Sequence, residues 1–122
     1  MGFIFDELSS RVIAAALSVH KQLGPGFVES VYEEALKLEL AIRNIPFEAQ
    51  KKVEISYAGR LVGVHVLDLM VDSKLVVELK SVKSLEDVHF AQVRSYLRAT
   101  GASIELLMNF NSPILTVKRL VN

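Results

Sequence analysis

The sequence has no cysteine. That excludes disulfide staples, thiolate catalysis and cysteine-based zinc sites, and it suits a reducing compartment. It has no excess of either charge, with 14 basic against 14 acidic residues. The field of the whole molecule therefore does not recruit nucleic acid as a strongly basic protein would, although a cleft can be locally basic while acidic helices balance the sum. The opening Met1-Gly2-Phe3-Ile4-Phe5-Asp6-Glu7 shows no basic n-region and too short an apolar run for a signal peptide. No apolar run approaches the roughly 20 residues of a membrane span. The expectation is a soluble cytoplasmic protein. Internal repeats, low-complexity segments and interdomain linkers are also missing.

What is present is a chain of 122 residues, 51% hydrophobic and 23% charged, enough for one domain over residues 1–122 with a substantial core. Leu8, Val12, Ala15, Ala16, Val19 and Leu23 recur at helical spacing from about Asp6 to Leu23, and Gly24-Pro25 stops that helix. A second helix is expected from beyond Gly26 to about Asn44, with Val28, Val31, Tyr32, Ala35, Leu38 and Ile42 as its apolar stripe. Phe47 to Tyr57 alternates as a half-exposed strand, and strands at Leu61 to Val71 and Lys74 to Val82 complete a meander. A third helix from about Leu85 to Thr100, stopped by Gly101, precedes strands at Ser103 to Phe110 and Ile114 to Val121. The order is ααβββαββ, an α/β (α+β) protein.

The hairpin from Asp68 to Lys80 carries the chemistry. Glu78 and Lys80 alternate with Leu79, so they point to one face of their strand. The polar break Asp72-Ser73 lets the two strands lie antiparallel, which brings Asp68 towards Glu78. Asp68 shares its strand face with Val64, Val66 and Met70, while His65, Leu67, Leu69 and Val71 form the other, so the strand is expected to be covered on both sides. Two carboxylates about 5 Å apart repel by roughly 3 kcal/mol at an effective dielectric of 20. Positive charge is needed there: Lys80 supplies one, and a divalent ion such as Mg²⁺ or Mn²⁺, which prefers oxygen ligands, would supply two more.

Other candidates carry plainer readings. Glu29 stands in the first turn of the second helix, where an acid complements the helix dipole, and on position alone that reading leads. His89, Gln92 and Tyr96 are spaced i, i+3 and i+7 on the third helix, a polar stripe with Arg94 and Arg98 nearby. For His89 alone a hydrogen-bonding role without chemistry is preferred. Lys51, Lys52, Lys83, Arg94 and Arg98 offer only sequence-independent phosphate contacts, so low sequence specificity is expected.

Gly26-Phe27-Val28-Glu29-Ser30-Val31-Tyr32 is a GxxExxY motif. It resembles the signature of the small bacterial and archaeal family named after it, placed in the PD-(D/E)XK nuclease superfamily. The resemblance runs from His20-Lys21-Gln22-Leu23-Gly24-Pro25-Gly26 through Asp68 and Glu78-Leu79-Lys80 to His89, Gln92, Tyr96-Leu97 and Asn109-Phe110. It implies a restriction-endonuclease-like core with a central mixed sheet flanked by helices. It also implies that Glu29, Asp68, Glu78 and the backbone carbonyl of Leu79 carry Mg²⁺ or Mn²⁺, and that Lys80 sits beside the attacking water. Gln92 and Tyr96 would support the site and touch substrate, with nucleic acid as partner and DNA favoured over RNA. The family often has an aromatic residue and an arginine shortly before the Asp, where this chain has His65 and Val66.

The reading is thus a metal-dependent nuclease. Its rivals are a structural ion-pair cluster of Asp68, Glu78 and Lys80, and a catalytically inactive nuclease-fold module that binds nucleic acid or protein. A homodimer packed through Phe3-Ile4-Phe5 is a further use of the chain.

Overall fold

The structure is a computed structural model and describes residues 6–122; the Phe3-Ile4-Phe5 arm lies outside them. Two helices come first, α1 (Asp6–Leu23) and α2 (Glu29–Ile42). Three strands follow, β1 (Phe47–Tyr57), β2 (Arg60–Val71) and β3 (Leu75–Lys80), then α3 (Asp87–Thr100), β4 (Ile104–Asn109) and β5 (Thr116–Val121). This is the expected order, with half of the ends drawn in by one or two residues and nearly all the others unchanged.

The breaks have local causes. Asn44, in the left-handed region at φ 57°, turns the chain out of α2, and Gly101 does the same for α3 at φ 71°, its N–H reaching the Leu97 carbonyl at 3.0 Å. The β1–β2 connection puts Ala58 and Gly59 at positive φ, and the β2–β3 connection does so with Asp72 and Ser73. The first is a two-residue turn and the second a three-residue connection over 72–74, and the twist of both matches that of antiparallel strands. The second is closed by Lys74 N–H to the Val71 carbonyl (3.0 Å) and pinned by Asp72 N–H to the Pro46 carbonyl (2.8 Å).

The sheet order is β1-β2-β3-β4-β5, antiparallel throughout except for the parallel pair β3 and β4, which α3 connects. Leu75, Val77 and Leu79 of β3 and Ile104, Leu106 and Met108 of β4 bury one face against Val12, Ala15, Ala16 and Val19 of α1 and Tyr32, Leu36 and Leu40 of α2. The other face packs on α3, with Val76 near Met70 and Tyr96, and Leu107 near Val93 and Leu97.

Two expectations are corrected. The buried stripe of α2 is Tyr32, Leu36 and Leu40, while Leu38 and Ile42 are 68% and 72% exposed. With α1 on one side and the sheet on the other, only one i, i+4, i+8 row of α2 is enclosed. Strand β2 is covered on both faces only from Leu67 onward; Val64 and Val66 are 49% and 44% exposed, because the far half of the β1–β2 hairpin extends beyond α1 and α2.

Candidate active site

Strands β2 and β3 pair as Val71 with Leu75, Met70 with Val76 and Leu69 with Val77. Continuing that register sets Asp68 opposite Glu78, but the ladder stops there and side chains take over. The Asp68 N–H donates to Glu78 Oε1 at 3.1 Å, and the Leu79 N–H donates to Asp68 Oδ2 at 2.8 Å. Each acid thus caps the other strand's backbone, and the strands part at this point. On the other side of Asp68, Gln50 is missing from the β1–β2 ladder and adopts φ 52°, so β2 is loosened from both neighbours at one residue.

Helix α2 presents two acids to this fork. Glu29 is its first residue and Glu33 lies one turn on. Burial pushes the Glu29 carboxyl up, the Asp68 charge adds to it, and the Lys80 charge opposes it. Glu33 is raised by burial and then by Asp68, and its two carboxylate oxygens accept bonds from Gln50 Nε2 at 3.0 and 2.9 Å. Tyr32 does not join them; it is fully buried and stacked on Phe110 at 4.8 Å. Its hydroxyl donates to the Gly24 carbonyl (2.5 Å) and accepts the Phe27 N–H (3.2 Å). The tyrosine therefore holds the loop that launches α2 and so sets where Glu29 begins.

The segment after Lys80 is tied down as firmly. Phe110 N–H donates to the Lys80 carbonyl (2.9 Å), and Ser81 Oγ donates to the Phe27 carbonyl (2.6 Å). The Asn109 side chain accepts the Val82 N–H (3.1 Å) and donates to the Val82 carbonyl (3.0 Å). Among the described residues no ion pair joins Lys80 to Asp68 or Glu78. The charge of Lys80 is nonetheless felt by Glu29 and Glu105.

Helix α3 closes the opposite face. Tyr96 is half-buried and meets the His65 ring edge-on at 4.6 Å. Burial raises its hydroxyl pKa, with further contributions from Glu78, Glu105 and Asp68, so Tyr96 lies within reach of the carboxylate field. Gln92 is exposed on the same helix. His89 is engaged elsewhere: its Nδ1 accepts the Glu86 N–H at 2.8 Å as half of a capping box that starts α3. Arg94, Arg98, Lys52 and Lys83 are exposed, and Lys51 pairs with Glu48 at 3.1 Å.

Sequence reasoning missed Glu33, Gln50 and, above all, Glu105, and gave Asn109 no role of its own. Glu105 is on β4, fully buried, and neither carboxylate oxygen has a hydrogen-bond partner among the described residues. Its signal was one acid inside the apolar run Ile104 to Met108, where every neighbour reads as core. Burial, then the Asp68 charge, pushes its pKa up to about 9, with Lys80 pulling the other way. Glu78, only 4% exposed, is raised by burial, then by Asp68, then by Glu105.

The arrangement gathers carboxylates in a poorly hydrated place and balances them with one lysine. It asks for more positive charge. The donors are all oxygen, the set that hard divalent cations prefer, and the partnerless oxygens of Glu105 are the kind of buried group such an ion satisfies. No three His, Asp or Glu side chains among the described residues form a ready-made cage, since Asp68 and Glu78 are each turned onto the other strand's amide.

A profile of the PD-(D/E)XK nuclease superfamily matches residues 6–120. The chain belongs to that superfamily, whose nucleases generally use divalent metal ions and act on nucleic acid. Among solved structures it is similar to the one titled "Crystal structure of SSO0001", with a TM-score of 0.59 and 17% sequence identity. That likeness covers 97% of this chain and 59% of the other, so this chain spans less than two thirds of that chain's length, and it shows the shared fold. No curated protein matches. The expected restriction-endonuclease-like architecture is thus found, and no helix among the described residues is long and apolar enough to cross a membrane.

Proposed function

We propose that this chain is a nuclease domain of the GxxExxY type, spanning residues 1–122, that hydrolyses phosphodiester bonds with Mg²⁺ or Mn²⁺ and little sequence preference. The observation that carries the reading is the fork between β2 and β3. There Asp68 and Glu78 are pressed together while Lys80, among the described residues, makes no ion pair. A structural ion-pair cluster would have closed Lys80 onto one of the acids. A buried acid pair without such closure stabilises a fold poorly, so its worth lies in what it binds.

In this reading Asp68, Glu78 and the Leu79 carbonyl hold the cation, with Glu29 approaching from α2. The cation, when bound, supplies the charge that lets a phosphodiester accept a water nucleophile. The chain's own groups do the rest. Lys80, on the same face as Glu78, orients that water and offsets negative charge gathering on the phosphoryl oxygens. Tyr96, held against His65, and the exposed Gln92 border the substrate side, while His89 supports the site by capping α3. Arg94, Arg98, Lys52 and Lys83 meet phosphates along the strand, which fits a nuclease that does not read bases.

The test is cleavage of labelled single- and double-stranded DNA and RNA with Mg²⁺, Mn²⁺ or EDTA, with Glu78→Gln and Lys80→Ala beside the wild type. DNA cleavage that needs the metal and falls about 100-fold or more in both variants is expected. Cleavage that persists in EDTA or in Lys80→Ala would sink the proposal.

A further inference from the structure

Glu105 has no task in the chemistry above, and the fold gives no reason for it. It is 0% exposed, both its oxygens lack partners among the described residues, and an apolar residue at that place would avoid the cost of burying them. Its position is specific. In the parallel β3–β4 register Glu105 pairs with Val76, and Glu78 stands two residues further along β3, so all three share the α3 face of the sheet. Its charge acts on Glu78 and Tyr96, and it feels Asp68 and Lys80 in turn.

The strand order decides what Glu105 can bind. Asp68 is on β2 and Glu105 on β4, with β3 between them. Adjacent strands lie about 4.8 Å apart, so the two acids arise from backbones roughly 10 Å apart, whereas oxygen ligands sit about 2.1 Å from Mg²⁺. One ion is poorly placed to take both. Glu78, on the central strand and with two carboxylate oxygens, borders each side. This also accounts for the lack of a three-acid cage among the described residues.

We propose that Glu78 and Glu105 hold a second divalent cation on the β4 side of Glu78, beside the one assigned to Asp68 and Glu78. The inference rests on the cation-dependent reading of the site. Glu78 is the shared ligand, and a pair of ions bridged by one carboxylate falls at the roughly 3.5–4 Å spacing of two-ion phosphodiester sites. Because Glu105 is enclosed and the fork at Asp68 is more open, the inner ion enters past Asp68 and Glu78 and binds second.

The experiment is Mn²⁺ binding to the full chain, followed by calorimetry for the number of ions and by electron paramagnetic resonance for coupling between them, with no substrate present. Wild type is expected to take two ions with a spin-coupled signal at saturation. Glu105→Gln and Glu105→Leu, each checked for folding by circular dichroism, are expected to take one, with the second site weakened about tenfold or more and the coupling gone. Two coupled ions in either variant would overturn the assignment. So would a single uncoupled ion in the wild type, a result that needs no variant and leaves the Asp68 and Glu78 site standing. No ion bound by the wild type at millimolar Mn²⁺ would overturn both readings together.

Discussion

The two faces of strand β3 are built to opposite rules. Towards α1 and α2 it presents Leu75, Val77 and Leu79, all fully buried in one apolar cluster that runs on through Leu106 and Met108. Towards α3 it presents Val76, Glu78 and Lys80, beside Glu105 on the next strand. The first face stabilises the sheet and the second loads it with buried acids. A protein with only about 5–15 kcal/mol of net stability carries such a load on one face because the other is dry and closely packed. The firm face holds the backbone of Glu78 and Lys80 still while their side chains are left short of partners.

Neighbouring residues on β3 give the sharpest way to break that division. Glu78→Gln should abolish metal-dependent cleavage, a loss of about 100-fold or more, while leaving urea unfolding undiminished. Leu79→Ala, one residue on, should do the reverse in kind, costing about 2–5 kcal/mol of stability through the cavity it leaves. Equal damage to stability from both would erase the contrast between the faces.

The charge load itself is tested by Glu105→Gln in metal-free buffer. The Glu105 carboxyl is raised in the folded state to about 9 from an ordinary 4.5. A raised acid favours the fold below pH 4.5, where it is protonated in both states. That favour is lost as pH rises towards 9, because the unfolded chain releases the proton first. The glutamine variant should therefore be more stable than wild type at pH 7 by up to roughly 3 kcal/mol and little different at pH 4. A gain that does not grow between those pH values would mean the buried carboxyl is no burden.

Tyr32→Phe should have the smallest effect. It keeps the stack on Phe110 and removes only the hydroxyl bonds to Gly24 and Phe27, at about 1 kcal/mol. Because those bonds fix the start of α2, cleavage should fall more than stability does. An unchanged rate would show that Glu29 does not depend on the loop.

Much of the fold was legible because its signals are local. The breaks at Gly24, Asn44, Ala58-Gly59, Asp72-Ser73 and Gly101 each carry a backbone preference that acts within a few residues, and the elements between them follow. The α2 stripe was misread because Leu36 and Leu38 are equally apolar, and only the placement of α1 and the sheet chooses between them. Glu33 and Gln50 were missed because they meet across the gap between a helix and an edge strand, 17 residues apart in sequence.

The sequence alone determined the order of elements, and strand alternation placed Glu78 and Lys80 on one face and Leu79 on the other. The polar break at Asp72-Ser73 brought Asp68 towards Glu78, and the three-residue connection seen in the structure fixed the register. Tertiary structure decided the rest: that α2 brings Glu29 and Glu33 to the fork, and that the α3 crossover lays β4 beside β3 so that Glu105 arrives next to Glu78. The physical reason is range. Backbone geometry dictates which way a side chain points, but which distant side chain it meets depends on how whole helices and strands share one core.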